Sequence, residues 1–168
     1  MKRGIYAGSF DPVTLGHLDV IRRGGLIVDE LRIMIGVNPK KVGGFFKVEK
    51  RLELIEESLE HMKWFGKDRS AFPVGTFSGL LMDYCKTHAV AFNIRGLRAA
   101  QDFNYEFEMH GTNVDMAPEV NTVFLVAPPS FQFISSTTIK ELASYRSPAL
   151  RKYVTPCVVG ALLEANQA

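Results

Sequence analysis

The segment Gly8-Ser9-Phe10-Asp11-Pro12-Val13-Thr14-Leu15-Gly16-His17 has the residue types of an anion-holding turn. Gly8 lets the main chain approach a ligand, Asp11-Pro12 fixes a turn, and a helix opening behind it offers N–H groups that have no partner within the helix. His17 falls in the first turn of that helix and can donate a hydrogen bond to a phosphate oxygen. A packed histidine, with Ser9 as an ordinary turn residue, is the competing reading. In Arg95-Gly96-Leu97-Arg98 two guanidinium groups stand three positions apart after a strand, and their planar forks suit phosphate oxygens better than an ammonium would. The same residues also fit a solvated turn in which Arg98 pairs with Asp102 at i, i+4, with Glu106 either a ligand contact or a partner for one arginine. Phe133-Ile134-Ser135-Ser136-Thr137-Thr138-Ile139-Lys140 puts consecutive hydroxyls at the start of a helix, where they cap it or hold an anion together with its exposed N–H groups. Lys40 and Lys41 fall in a loop, as mobile charges over a ligand or as plain solvated side chains.

Other chemistries lack their residues. The chain has no GxxxxGK[ST] loop, no GxGxxG after the first strand, no GxSxG elbow and no HExxH. His61, His88 and His110 have no metal-ligand spacing with one another or with the cysteines, so no protein-held metal is expected. Cys85 and Cys157 stand far apart and read as buried thiols of a reducing, cytoplasmic compartment. Trp64 and Phe65 end a helix and read as core or subunit contact.

The elements that must position these residues alternate short β-rich segments with helical patterns, the mark of an α/β chain. Strands are expected over Arg3 to Ala7, Leu31 to Val37, Ala71 to Phe77, Val90 to Ile94 and Thr122 to Ala127. Helices are expected over Thr14 to Arg23, along the stripe Val48, Leu52, Ile55, Leu59 and Met62, over Leu80 to Thr87 with Leu80, Leu81, Tyr84 and Cys85 inward, and over Ala99 to Met116. Short helices follow from Ser135. Right-handed crossovers then give a Rossmann-like doubly wound sheet of five parallel strands in the order 3-2-1-4-5. Its ligand crevice lies where strands 1 and 4 diverge, which brings Gly8 to His17, Arg95 to Asp102 and Phe131 to Thr137 together.

A chain of 168 residues, 46% apolar and 23% charged, is expected to form one domain with a sizeable core. A net charge of +2 with both signs interleaved gives no overall field for nucleic acid or a membrane surface, so any anion site has to be local. The longest apolar run, Cys157 to Leu163, is too short to span a bilayer, and no signal-peptide core is seen.

Taken together, GSFDPVTLGH at 8 to 17, NPKK at 38 to 41, IRGLRAAQDFNYE at 94 to 106 and ISSTTIK at 134 to 140 resemble the bacterial phosphopantetheine adenylyltransferases, of the nucleotidyltransferase superfamily. The resemblance runs from Ile5 to about Lys140. Thr14 is the telling residue, because relatives using nicotinamide mononucleotide or cytidine nucleotides typically show His there. The resemblance implies reversible transfer of the adenylyl group of ATP to 4'-phosphopantetheine, with Mg²⁺, giving dephospho-coenzyme A and pyrophosphate. Carried over by position, it implies that Ser9 and Phe10 contact ATP, with Ser9 also near the acceptor phosphate, and that His17 stabilises the transition state at the α-phosphate. Lys41 and Arg95 would hold the acceptor's phosphate and Leu81 its pantetheine arm. Gly96, Leu97, Arg98, Glu106, Phe131, Gln132, Phe133, Ile134, Ser135, Ser136 and Thr137 would line the ATP side. It further implies a homohexamer, built as a dimer of trimers, and inhibition by coenzyme A. The chain departs from common members at Ala7, often proline, and at Gly79, often acidic, which leaves the contacts to the arm less defined. Two other readings stay open at this stage: transfer to another acceptor such as nicotinamide mononucleotide, and a regulator that binds ATP or coenzyme A without turnover.

Overall fold

Five strands, β1 (Arg3–Gly8), β2 (Glu30–Val37), β3 (Val74–Ser78), β4 (Phe92–Leu97) and β5 (Asn121–Val126), pair in parallel in the order β3-β2-β1-β4-β5. This is the order expected from the sequence. The structure, a computed structural model, describes residues 1–37, 43–60 and 68–167. The crossovers are helices α1 (Leu15–Gly25), α2 (Val48–Glu60), α3 (Leu81–Thr87) and α4 (Ala100–Met116), followed by α5 (Ser136–Ser144) and α6 (Pro156–Ala165). Single 3₁₀ turns occupy Arg69–Ala71 and Pro148–Lys152.

The two faces of the sheet are covered unequally. On one, Tyr6, Ile33 and Ile35 pack against Leu18 and Ile21 of α1, Leu54, Ile55 and Leu59 of α2, Ile139 of α5 and Val158 of α6. Val48 and Leu52 of the α2 stripe lie at the edge of that core. The hydroxyls of Ser58 and Thr155 bond across α2 and the start of α6 at 2.8 Å, so both buried groups are satisfied. On the other face a smaller cluster joins Ile5, Ala7 and Met34 to Met82 and Cys85 of α3. Burial there pushes the Cys85 thiol up to about 11, so it is a protonated core side chain. Helix α4 covers the rest of this face without burying a single residue.

Some element limits differ from those expected, each for a local reason. Strand β4 runs on through Arg95, Gly96 and Leu97, because these pair with Phe124, Leu125 and Val126 of β5. Arg95 therefore sits on a strand and not in a loop. Strand β3 starts only at Val74, since Pro73 has no N–H and Ala71 closes a 3₁₀ turn. Leu80, expected inward, is exposed at the N-cap of α3, and Met82 and Cys85 are the inward pair. Met62, Trp64 and Phe65 lie outside the described residues. No described helix is long and apolar enough to cross a membrane.

Ile33, wholly buried on the central pair β1–β2, reports on this core. Ile33→Ala should cost about 2–5 kcal/mol of unfolding free energy in a urea titration. A loss below about 1 kcal/mol would show that the core is not packed as described.

Candidate active site

At the carboxyl ends of β1 and β4 a cleft of about 510 Å³ opens between the N-termini of α1 and α5. Ser9, His17, Arg95, Gly96, Leu97, Arg98, Glu106, Phe131, Ile134, Ser135, Ser136 and Thr137 line it, so three separate segments meet as the topology requires. The volume falls in the range of small-molecule sites.

His17 is built in by its own helix. Thr14 is the N-cap of α1, its hydroxyl accepting from the His17 N–H at 3.4 Å, while the Thr14 N–H donates to Nδ1 of the His17 ring at 3.0 Å. A main-chain N–H can only donate, so the neutral ring carries its proton on Nε2. Burial, and then the positive charge of Arg98, hold its pKa down to about 4. At neutral pH the ring is thus an uncharged donor of fixed tautomer. Phe10 fixes its pose from behind, with ring centroids 5.1 Å apart, and meets Tyr6 at 5.3 Å. Tyr6 also faces the cleft, its phenol pKa raised by burial despite Arg95 and Arg98.

Both arginines are held. Arg95 donates through Nε and Nη2 to the two carboxylate oxygens of Glu106, the first at 2.8 Å, and through Nη1 to the Ala7 carbonyl at 2.7 Å. Burial lowers the pKa of this guanidinium, and Glu106 more than offsets that. Glu106 is thus a partner of Arg95, and it also lines the cleft. Arg98 forms the i, i+4 pair with Asp102, at 3.0 Å from Nε, and also donates to the Ile134 carbonyl at 3.2 Å. That bond ties β4 to the segment before α5. Each guanidinium keeps further N–H groups for a phosphate oxygen, since it carries five in all.

Helix α5 begins as the sequence suggests, with the Ser135 hydroxyl accepting from the Thr138 N–H at 3.0 Å. Ser136 donates to the Pro12 carbonyl at 2.8 Å, so this hydroxyl is a tie between loops. Two helix N-termini, each with a partial positive charge, therefore face one cleft.

Four residues expected at the site do not line it. The Phe10 ring is wholly buried between Tyr6 and His17, which closes it off from the cleft. Gly8 serves that ring, because a Cβ there would lie 3.2 Å from two of its atoms. The Gln132 amide donates to the Ala127 carbonyl at 3.3 Å, and Phe133 is 87% exposed. Leu81 packs with the smaller core on the α3 side of the sheet. Lys41, like Lys40, lies outside the described residues. Gln101 and Asp102 line the cleft within the expected segment 95–102, whereas Tyr6, Val20 and Tyr105 line it without having been expected there. For Tyr105 the signal was its place one residue before Glu106.

Among the described residues no three His, Cys, Asp or Glu side chains gather to hold a metal ion. The two carboxylates in the cleft, Asp102 and Glu106, are bound to arginines. The donor set does not fit a protein-held magnesium ion.

Chemically, the cleft offers a neutral N–H donor, two partly neutralised guanidinium groups and two helix N-termini, with no Ser-His-Asp set and no paired carboxylates among the described residues. It is equipped to position phosphates. NMR of His17 should show Nε2–H at neutral pH and a protonation midpoint near 4. A midpoint near the ordinary 6.5 would contradict the capped, buried ring.

The chain matches the cytidylyltransferase-like family over residues 5–142. It is 42% identical over 160 residues to a phosphopantetheine adenylyltransferase of Thermotoga neapolitana, covering 95% of this chain and 94% of that one. To the phosphopantetheine adenylyltransferase of Brucella anthropi it is 41% identical over 162 residues, 96% of each chain. Among solved structures, nicotinic acid mononucleotide adenylyltransferase of Plasmodium falciparum complexed with APC superposes with a TM-score of 0.69, over 98% of this chain and 96% of that one. At 14% identity that likeness is one of fold.

Proposed function

The chain belongs to the phosphopantetheine adenylyltransferase family, and from that membership we propose that its cleft transfers the adenylyl group of ATP to 4'-phosphopantetheine. A phosphate oxygen of the acceptor attacks the α-phosphorus of ATP, the bond from that phosphorus to the β-phosphate oxygen breaks, and pyrophosphate leaves with dephospho-coenzyme A as the other product. The reverse reaction uses the same groups. The observation that carries this reading is the His17 ring, locked by Thr14 with Nε2–H available and lying between two arginines' segments and two helix N-termini.

The acceptor phosphate is already ionised at neutral pH, since its second pKa is about 6, so the step needs no general base. What remains is to hold two anions in line and stabilise charge at the α-phosphate. His17 does the latter through Nε2–H. Arg95, with Lys41, takes the acceptor phosphate, Ser9 lies between acceptor and ATP, and Leu81 bounds the arm. Gly96, Leu97, Arg98, Glu106, Phe131 and Ile134 through Thr137, with the α5 N-terminus, take the nucleotide. Magnesium enters only as a counter-ion of the triphosphate, because the cleft has no carboxylate set for it.

Association between copies fits the surface. Helix α4 leaves Phe103, Tyr105, Phe107 and Met109 exposed around its circumference, apolar surface of the kind that subunits cover. A homohexamer, and inhibition by coenzyme A as a product-like ligand, belong to this proposal. So does a cytoplasmic location, in keeping with two free cysteines.

The test mixes the protein with ATP, Mg²⁺ and 4'-phosphopantetheine and follows pyrophosphate, with nicotinamide mononucleotide as parallel acceptor. Release with 4'-phosphopantetheine alone is expected, while release only with the other acceptor, or with neither, overturns the proposal. His17→Ala should lower kcat by about 10²- to 10³-fold with a much smaller change in KM for ATP, as for a donor acting chiefly in the transition state. A rise in KM with kcat unchanged would remove that role from His17.

A further inference from the structure

Asp11 does not line the cleft, is only 7% exposed, and yet gathers more partners than any contact with substrate would require. Its Oδ2 accepts from the Phe45 N–H at 2.7 Å and its Oδ1 from the Phe46 N–H at 2.9 Å. Arg51 Nε of α2 lies 3.4 Å from Oδ1, and Lys140 Nζ of α5 lies 3.8 Å from Oδ2. Arg51 is itself fixed, donating to the Phe46 carbonyl at 2.7 Å and to the Ser9 carbonyl at 3.4 Å. Room for this guanidinium exists because residue 44 is glycine: a Cβ there would fall 1.6 Å from its Nη2. One buried carboxylate thus joins the loop after β1, the approach to α2, α2 itself and α5.

We propose that Asp11 is a positioning residue that sets the separation of the α1 and α5 N-termini, and through it the grip of the cleft on a triphosphate. The inference rests on the adenylyl-transfer reading. Two ties hold the loop after β1 to α5. One is the Ser136 hydroxyl on the Pro12 carbonyl at 2.8 Å, and the other is the Asp11–Lys140 ion pair four residues along the same helix. Next to these ties the chain turns sharply, with Phe10 at φ 45°, a left-handed conformation that a bulky residue adopts only when its surroundings impose it. The buried Phe10 ring and the Asp11 carboxylate on either side of that bond are the surroundings. Three residues later the same loop becomes the cap of α1 and places His17. A triphosphate has to reach both N-termini, whereas a monophosphate needs only one, so loosening the separation discriminates between them. A displacement of about an ångström between groups that grip one ligand is enough to cost much of its binding.

The test is isothermal titration calorimetry of Asp11→Asn with ATP and with AMP, each without acceptor, well below the melting temperature. ATP affinity should fall about tenfold, or about 1.4 kcal/mol, with AMP affinity changed by less than about twofold. Loss of mere structural support would lower the bindable fraction and leave both affinities of the folded protein unchanged. Equal falls for ATP and AMP, or no fall in either, overturn the proposal. Should Asp11→Asn fail to fold, the decision passes to Lys140→Gln, which breaks one partly exposed arm and should weaken ATP about two- to fivefold relative to AMP. An unchanged ATP-to-AMP ratio in that variant overturns it equally. If the unsubstituted protein binds no ATP, the functional reading itself falls and the inference with it. Pyrophosphate release by the unsubstituted protein with an unchanged ratio in the variants would sink the inference alone.

Discussion

A parallel sheet whose chain runs from β1 through β2 to β3 on one side, and then crosses back to β4 and β5 on the other side of β1, has to leave a gap above β1 and β4. Everything that functions in this chain depends on that gap. The loop after β1, the end of β4 and the segment before α5 are far apart in sequence, and the topology alone brings them to one cleft. The same reversal aims the N-termini of α1 and α5 at it. A chain with a net charge of only +2 thereby acquires a local place where phosphate is welcome.

The local electrostatics are more restrained than a pair of free arginines would suggest. Arg95 is matched by Glu106 and Arg98 by Asp102, so these four side chains together give the cleft little net charge. An unmatched guanidinium as enclosed as Arg95 would be costly to fold. The carboxylates also orient the forks, which leaves the remaining N–H groups in set directions. His17 follows a similar logic in the proposed transfer, where a neutral ring with one assigned proton would stabilise charge that develops during the step without attracting it beforehand.

Most of the fold was legible because its signals are local: apolar periodicity in α2, Pro and Gly punctuation between strands, and hydroxyls at helix starts. The limits went astray where pairing or packing decides. Nothing in Arg95-Gly96-Leu97 alone says strand, and its pairing with Phe124 to Val126 makes it one. At the site, the residue types and their places after strands or at helix starts were enough to bring His17, Arg95 and Ser135 to the cleft. Phe10 was misplaced because a turn residue gives no sign of which way its ring falls, and here a left-handed backbone turns it inward against Tyr6 and His17. Asp11 was read as a turn former, since its four partners come from segments distant in sequence. Tyr6 and Tyr105 were missed for the same reason, as one reaches the cleft from β1 and the other from the way α4 lies on the sheet.

The central claim is that the cleft works by position and charge, with His17 a neutral donor and no protein base. The rate of adenylyl transfer at saturating ATP and 4'-phosphopantetheine, followed against pH, tests this most directly. The rate should be level between about pH 7 and 9 and fall only as the acceptor phosphate gains a proton near about pH 6. An ionisation above neutrality that governs kcat and disappears in His17→Gln would contradict it, because His17 would then be taking up a proton during the reaction.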